Sequence, residues 1–384
     1  MTPSVFAAEL FCATAIFFHV GSIVVMIGRS RGRIRPAPAR GEARSVTVIR
    51  PVHGLHFGIE ETLGSSLELD YPECEVMFCA AGAEDPAVPV VRRLLAAHPG
   101  VKARLLLGED LISENPKLNN CFKGWNAAAT EWVVMVDSNV LMPADYVQRM
   151  LARWTVKTGL VSAPPIASRP EGFWAHVECS LLNGFQAPAQ YFGDALGIGF
   201  AMGKNMMWRR RDLEAAGGMK ALASAGADDV AATKIVRAAG RRVVLVDGPF
   251  EQPIGRRTFA EVWRRQARWA RIRRCGFLEV FLPEVLNGLF PPLIAVAWLA
   301  HAGVLPFVPG AAALTALWYG AETALSLRAG WPFSPLLPIH GLVRDLLMPF
   351  LWVYGFSGED IVWHGKTMSL VQSGGRPEPD SDPA

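Results

Sequence analysis

From Ser45 onward the chain alternates between short apolar runs and longer helical stretches. Val46–Ile49, Glu75–Cys79, Ala103–Leu107, Trp132–Val136, Leu160–Ala163 and Val243–Val246 read as strands. Ile59–Glu68, Val88–Ala97, Lys117–Thr130, Ala144–Thr155 and Val230–Ala239 read as helices between them. That alternation predicts βαβ units, hence an α/β domain over residues 45–280 with a mainly parallel sheet. Trp132–Val136 has no polar residue, which predicts a strand buried on both faces.

Both ends break the pattern. Leu10–Ile27 carries no charge apart from His19 and is long enough to span a bilayer. Arg29, Arg31, Arg33 and Arg35 follow it, whereas a signal peptide has its charges before the apolar core. Residues 5–28 therefore read as a permanent anchor with the basic side in the cytoplasm. At the other end, residues 285–357 predict two or three further membrane segments, broken near Gly303 and Pro306–Gly310. The Arg344-Asp345 pair inside the last one predicts a face turned toward protein, or else a re-entrant or interfacial segment. The tail 374–384 reads as disordered.

Composition sharpens this picture. The chain has 384 residues, 51% of them hydrophobic, and a mean hydropathy of +0.22, too apolar for an ordinary soluble enzyme. A net charge of +3 argues against nucleic acid as a partner. Six cysteines form no C-x-x-C pair, so reduced thiols are expected. No G-x-G-x-x-G follows the first strand and no Walker lysine is present.

Candidate chemistry falls at the ends of the expected strands. Asp137-Ser138-Asn139 stops the fourth strand and offers a carboxylate and an amide oxygen, a pair suited to Mg²⁺ or Mn²⁺ on a diphosphate. Glu84-Asp85-Pro86 follows the second strand; it suits a nucleobase or ribose, or a plain helix-start turn. Asp228-Asp229 precedes a helix, as a general base or as an ordinary N-terminal pair. Arg265-Gln266-Ala267-Arg268-Trp269 lies in a stretch with eight arginines from Arg256 to Arg274. Positions 265, 268 and 269 share a helical face that can close over a diphosphate and an acceptor, while a basic helix also meets anionic lipid heads.

Asp85, Asp137, Asp229 and R265-x-x-R268-W269, in that order, resemble the D, D, D, (Q/R)-x-x-R-W signature of the ceramide glucosyltransferases, glycosyltransferase family 21. Leu69-Asp70-Tyr71-Pro72, Asn115-Pro116-Lys117-Leu118-Asn119-Asn120 and Ala216-Gly217-Gly218 resemble family stretches as well. The likeness runs from about Val46 to about Phe277, and the membrane layout outside it agrees. It implies an A-type glycosyltransferase fold, a UDP-sugar donor and inversion at the anomeric carbon. By that resemblance Asp85 and Lys117 bind the donor, and Asp137 with Asn139 engages metal and diphosphate. Asp229 is the base, and Arg265, Arg268 and Trp269 form the acceptor and diphosphate clamp. The chain departs from the pattern in having D-S-N at the metal position, and Gln186-Ala187-Pro188 where animal members carry a histidine.

Phe173–Trp208 has few charges and many large apolar residues, which suits either core or an interfacial segment that admits a lipid. A sugar transferase tied to the bilayer at both ends points to a lipid acceptor. The expectation is therefore glucose transfer from UDP-glucose to the primary hydroxyl of ceramide, in a bacterial inner membrane with the catalytic domain in the cytoplasm. The competing readings are N-acetylglucosamine transfer to a hopanoid or another lipid alcohol, and a processive polysaccharide synthase.

Overall fold

A computed structural model describes residues 2–32, 35–39, 41–363 and 366–370; the expected tail 374–384 lies outside them. The strands of the α/β domain are β1 (Val46–Pro51), β2 (Cys74–Ala80), β3 (Ala103–Leu107), β4 (Trp132–Val136), β5 (Thr158–Ser162), β6 (Ile166–Glu171), β7 (Asn205–Arg209), β8 (Arg242–Leu245) and β9 (Glu251–Arg256). Seven build one sheet in the order β3-β2-β1-β4-β7-β5-β8. It is parallel except for β7, which runs antiparallel between β4 and β5. Six of the seven coincide with expected strands. The seventh, β7, is rich in methionine and tryptophan and lacks the β-branched residues that mark a strand in sequence. A separate two-stranded sheet pairs β6 with β9, both of which contain proline.

The chain passes from β1 outward to β2 and β3, then returns to place β4 on the other side of β1. The crevice outside the carboxyl ends of β1 and β4 is thus a topological switch point, where open sheets of this kind bind ligands. β4 alternates between two cores, as a doubly covered strand must. Trp132, Val134 and Val136 pack with Phe78, Val91 and Tyr146 on one face. Val133 and Met135 pack with Leu118, Trp125 and Trp208 on the other.

Phe173–Trp208 is more deeply packed than a purely interfacial segment. It forms a helix (Phe173–Cys179), a π-helix (Ser180–Gln186), a second helix (Ala187–Ala195) and β7. Asn183 accepts from Ala167 N at 2.8 Å and donates to Ala167 O at 2.9 Å, fastening the π-helix to β6. Tyr191 is buried and donates to Val246 O. Phe173, Leu196 and Ile198 remain exposed.

The helix Pro3–Arg29 has 27 residues, roughly 40 Å at 1.5 Å per residue, and is long and apolar enough to cross a membrane. Its last residue docks on the catalytic domain: Arg29 pairs with Asp194, reaches Asp247 at 2.7 Å and donates to Leu245 O at 2.6 Å. C-terminal to the domain, the helical stretch Leu278–Leu286 and the helix Phe290–His301 make one pair bent by 46°, which together pass the same test. Phe307–Ala329 and Leu337–Tyr354 complete the bundle. Arg344 joins its parts. It donates to both oxygens of Glu322 at 2.9 and 2.8 Å, to Asp345 at 2.8 Å and to Ser180 at 3.2 Å. The pair faces protein, with Tyr319 and the Leu289 backbone satisfying the remaining oxygen of Asp345.

A hairpin, β10 (Asp360–Trp363) and β11 (Lys366–Ser369), lies against the loop that leads to Asp228. A Cβ at Gly226 would stand 2.5 Å from Ser369 O, so only glycine lets the two backbones meet there.

Candidate active site

Asp137 follows β4 directly, and the β4–β7 ladder continues past it, because Asp137 N donates to Lys204 O at 3.1 Å. Lys204 therefore stands opposite the D-S-N turn. Its Nζ lies 2.9 Å from Asp137 Oδ2 and 3.0 Å from Asn139 Oδ1. Lys117 approaches from another element, the helix Pro116–Ala127. Asn115 caps that helix by accepting from Lys117 N and Leu118 N, with Pro116 in the first turn where no N–H is missed. Lys117 Nζ lies 3.1 Å from Asp137 Oδ1 and 2.8 Å from Asp228 Oδ2, and it also donates to Gly203 O. Lys117 is thus the buried link between the D-S-N turn and the Asp228-Asp229 pair.

Gly203 sits at the crossing point. Its N donates to Asp229 Oδ2 at 3.3 Å. A Cβ there would come within 3.2 Å of Asp228 Oδ1 and 3.3 Å of Lys117 Nζ. Asp228 and Asp229 open the helix Asp228–Ala238, in which Asp229 Oδ1 accepts from Val230 N at 2.9 Å.

Burial and charge divide these groups. Burial pushes the Asp137 carboxyl up, but Lys117 and Lys204 outweigh that and hold it well below the carboxylate range. The same pairing with Asp137 and Asp228 raises Lys117 despite its burial. Lys204 is lowered, chiefly by burial, with the positive charges of Arg265 and Lys117 adding to it. Asp229 goes the other way, to about 6, because burial and then the neighbouring Asp228 both disfavour its charged form. A carboxylate raised in this way is a better proton acceptor than its lowered neighbour Asp137.

The helix Phe259–Gly276 starts with a capping box: Thr258 N donates to Glu261 Oε2 at 2.7 Å and Glu261 N to Thr258 Oγ1 at 3.3 Å. Arg265 is fixed by Glu178, which is fully buried and accepts from Arg265 at 2.7 Å and from Arg257 at 3.2 Å. Arg268 lies between Arg265, whose charge lowers it, and Asp137, whose charge raises it; burial dominates and brings it to about 10. Two guanidiniums of the expected clamp therefore border the centre. Trp269 is half-buried and packs against the cluster of Ala167, Ala175, Cys179, Leu182 and Ile254, which holds the helix on the β6–β9 layer. Several of the eight arginines have partners within the protein. Arg257, Arg265 and Arg273 pair with carboxylates, while Arg271 and Arg274 donate to Asp360 O and Gly358 O.

Asp85 lies at the same crevice, next to the loop after β1. It accepts from Gly54 N at 3.0 Å and Ala87 N at 2.8 Å and pairs with His53 at 3.1 Å, so its carboxylate shapes that loop. Four contributors were not marked by any motif: Lys204, Gly203, Glu178 and Arg50. Arg50, fully buried on β1, donates to Ser138 O at 2.9 Å and Val140 O at 3.1 Å and so fixes the D-S-N turn. Its one sign in the sequence is an arginine directly after the expected strand Val46–Ile49.

Asp137 and Asn139 aim one oxygen each at a single cation, the Lys204 ammonium. That pair fits Mg²⁺ or Mn²⁺ drawing the rest of its shell from phosphate and water. Among the described residues no group of three or more His, Cys, Asp or Glu could hold an ion by itself.

A family model described as glycosyl transferase family 21 matches residues 13–376. Ceramide glucosyltransferase 3 of Caenorhabditis elegans is 25% identical over 336 residues, 86% of this chain and 73% of the relative. Ceramide glucosyltransferase 1 of the same organism is 24% identical over 372 residues, 95% of this chain and 79% of the relative. Among solved structures, a mannosyltransferase from Pyrobaculum calidifontis in complex with GDP-Man and Mn²⁺ aligns over 88% of this chain and 99% of its own, at 21% identity and a TM-score of 0.48.

Proposed function

The chain belongs to glycosyltransferase family 21, with the A-type α/β fold, and from that premise we propose that it transfers glucose from UDP-glucose to the primary hydroxyl of ceramide. The observation that carries the reading is the grouping around Gly203. Its N–H holds Asp229, its carbonyl holds Lys117, and the next residue holds Asp137, so a proton acceptor and diphosphate-binding cations share one hydrogen-bonded unit. The acceptor oxygen attacks the anomeric carbon as the bond from that carbon to the UDP oxygen breaks, with inversion. Asp229 takes the hydroxyl proton. The electron pair leaves on the diphosphate, where Lys204, Arg265 and Arg268 stabilise the charge. Asp137 and Asn139 would hold a divalent ion on the diphosphate, and when bound it would supply further charge neutralisation. Asp85, through the loop after β1, borders the uridine.

Apolar surface supports a lipid acceptor. Directly after the arginine-rich helix, Leu278, Val280, Leu282, Val285 and Leu286 are exposed, and Phe17, Phe350 and Val353 are exposed on other apolar helices. One stretch of chain therefore joins the diphosphate clamp to a lipid-facing surface. The arginines after the first helix support a catalytic domain on the cytoplasmic side of the membrane. The test is transfer from radiolabelled UDP-glucose by purified membranes given ceramide or a hopanoid. One labelled glycolipid with ceramide is expected; label only with the hopanoid would sink the acceptor assignment.

A further inference from the structure

Lys204 stabilises the leaving diphosphate in the reaction scheme, but its ammonium lies on the same two oxygens that would hold the divalent ion. Asp137 has two oxygens, and both already face ammonium groups: Oδ1 faces Lys117 at 3.1 Å and Oδ2 faces Lys204 at 2.9 Å. Asn139, the second member of the D-x-N turn, also accepts from Lys204, at 3.0 Å. The turn offers one negative charge, since its second oxygen is an amide. One ammonium neutralises it. A divalent ion on the same two oxygens needs contacts of about 2.1 Å and cannot share that point with Nζ.

The two lysines differ in what holds them. Lys117 is tied to Asp228 at 2.8 Å and to the Gly203 carbonyl as well as to Asp137. The polar contacts of Lys204 Nζ are with the D-x-N turn, and its backbone is pinned by the ladder to Asp137 N. Its four-carbon stem lets the ammonium swing while the backbone stays. An arriving diphosphate brings anionic oxygens that serve the displaced ammonium and complete the shell of an incoming ion at once.

We propose that Lys204 is the resident cation of the donor site: it occupies the point shared by Asp137 and Asn139, competes with a divalent ion for it, and yields it only to an ion that comes with a nucleoside diphosphate. The inference rests on the diphosphate-donor reading of the site, and it is independent of which sugar or lipid is used.

The experiment is Mn²⁺ titration of the full-length protein in detergent, with free Mn²⁺ read by electron paramagnetic resonance, in the absence and presence of UDP. Wild type is expected to bind Mn²⁺ only with UDP. Lys204→Met, which keeps the side-chain length and removes the charge, is expected to bind Mn²⁺ without nucleotide, at least about tenfold more tightly than wild type does. Lys204→Arg restores exclusion, and Asp137→Asn added to Lys204→Met abolishes the gained binding, which shows that the ion sits at this turn. Equal nucleotide-free Mn²⁺ binding by wild type and a folded Lys204→Met, strong or absent, overturns the proposal. That failure leaves glycolipid formation untouched, whereas failure of the transfer reading appears as lost glycolipid with the Mn²⁺ data unchanged.

Discussion

Asp228 and Asp229 are adjacent in the chain and opposite in condition. Asp228 is neutralised by Lys117 at 2.8 Å, while Asp229 takes two backbone N–H groups and is raised to about 6 by burial and by Asp228. Asp229→Asn is expected to lower turnover by roughly 10²–10⁴-fold with UDP affinity nearly unchanged, measured by steady-state rates and calorimetry. In the wild type, kcat should fall as pH drops below about 6, because the protonated carboxyl accepts no proton. The sign for stability is reversed. A folded-state value above the ordinary carboxylate range means that the native protein binds the extra proton between the two, so stability declines as pH rises through that window. Asp229→Asn should therefore melt higher than wild type at neutral pH. The two aspartates and Asp137 were legible in sequence because they stop or start elements. Lys204, Gly203 and Glu178 were not, because each acquires its role from contacts far along the chain.

At the scale of elements, the centre depends on a strand and a helix that the hydrophobic pattern treats unequally. β4 is legible to the residue, since an unbroken apolar run has few other uses in this fold. β7 is invisible: Asn205-Met206-Met207-Trp208-Arg209 overlaps the end of a stretch that reads as either core or interfacial, and only pairing with β4 and β5 makes it a strand. β6 and β9 carry Pro170, Pro253 and Gly255, which demote a strand in any sequence reading. The arginine-rich helix is legible, but its anchor is Glu178 on a different helix. Glu178→Gln leaves Arg257 and Arg265 without their shared carboxylate. We expect weaker UDP binding and a kcat loss of roughly tenfold or more, with partial rescue by Glu178→Asp, measured by calorimetry and initial rates.

At the scale of the whole molecule, a buried ion cluster joins the α/β domain to the C-terminal helices. Arg344, Glu322 and Asp345 are all but fully buried, and Arg344 also reaches Ser180 in the π-helix. A charged group removed from such a cluster leaves its partners buried and uncompensated. Arg344→Met is expected to cost about 3–5 kcal/mol, seen as a lowered detergent-phase melting temperature, with recovery when Glu322→Gln and Asp345→Asn are added. That Arg344 faces protein was legible from an ion pair in an apolar run. That it ties the bundle to the π-helix was not, because the sequence carries no sign of which residues will meet it. Because exposed apolar residues follow directly on the arginine-rich helix, the lipid acceptor is the central claim of the proposed function. The direct measurement is lipid mass spectrometry of a heterologous host that lacks glycosylated sphingolipids, expressing the protein with and without supplied ceramide. A ceramide bearing one added hexose, formed only when both are present and absent with Asp229→Asn, is the predicted result. A hexose or N-acetylhexosamine on another lipid alcohol, with ceramide unmodified, would contradict it.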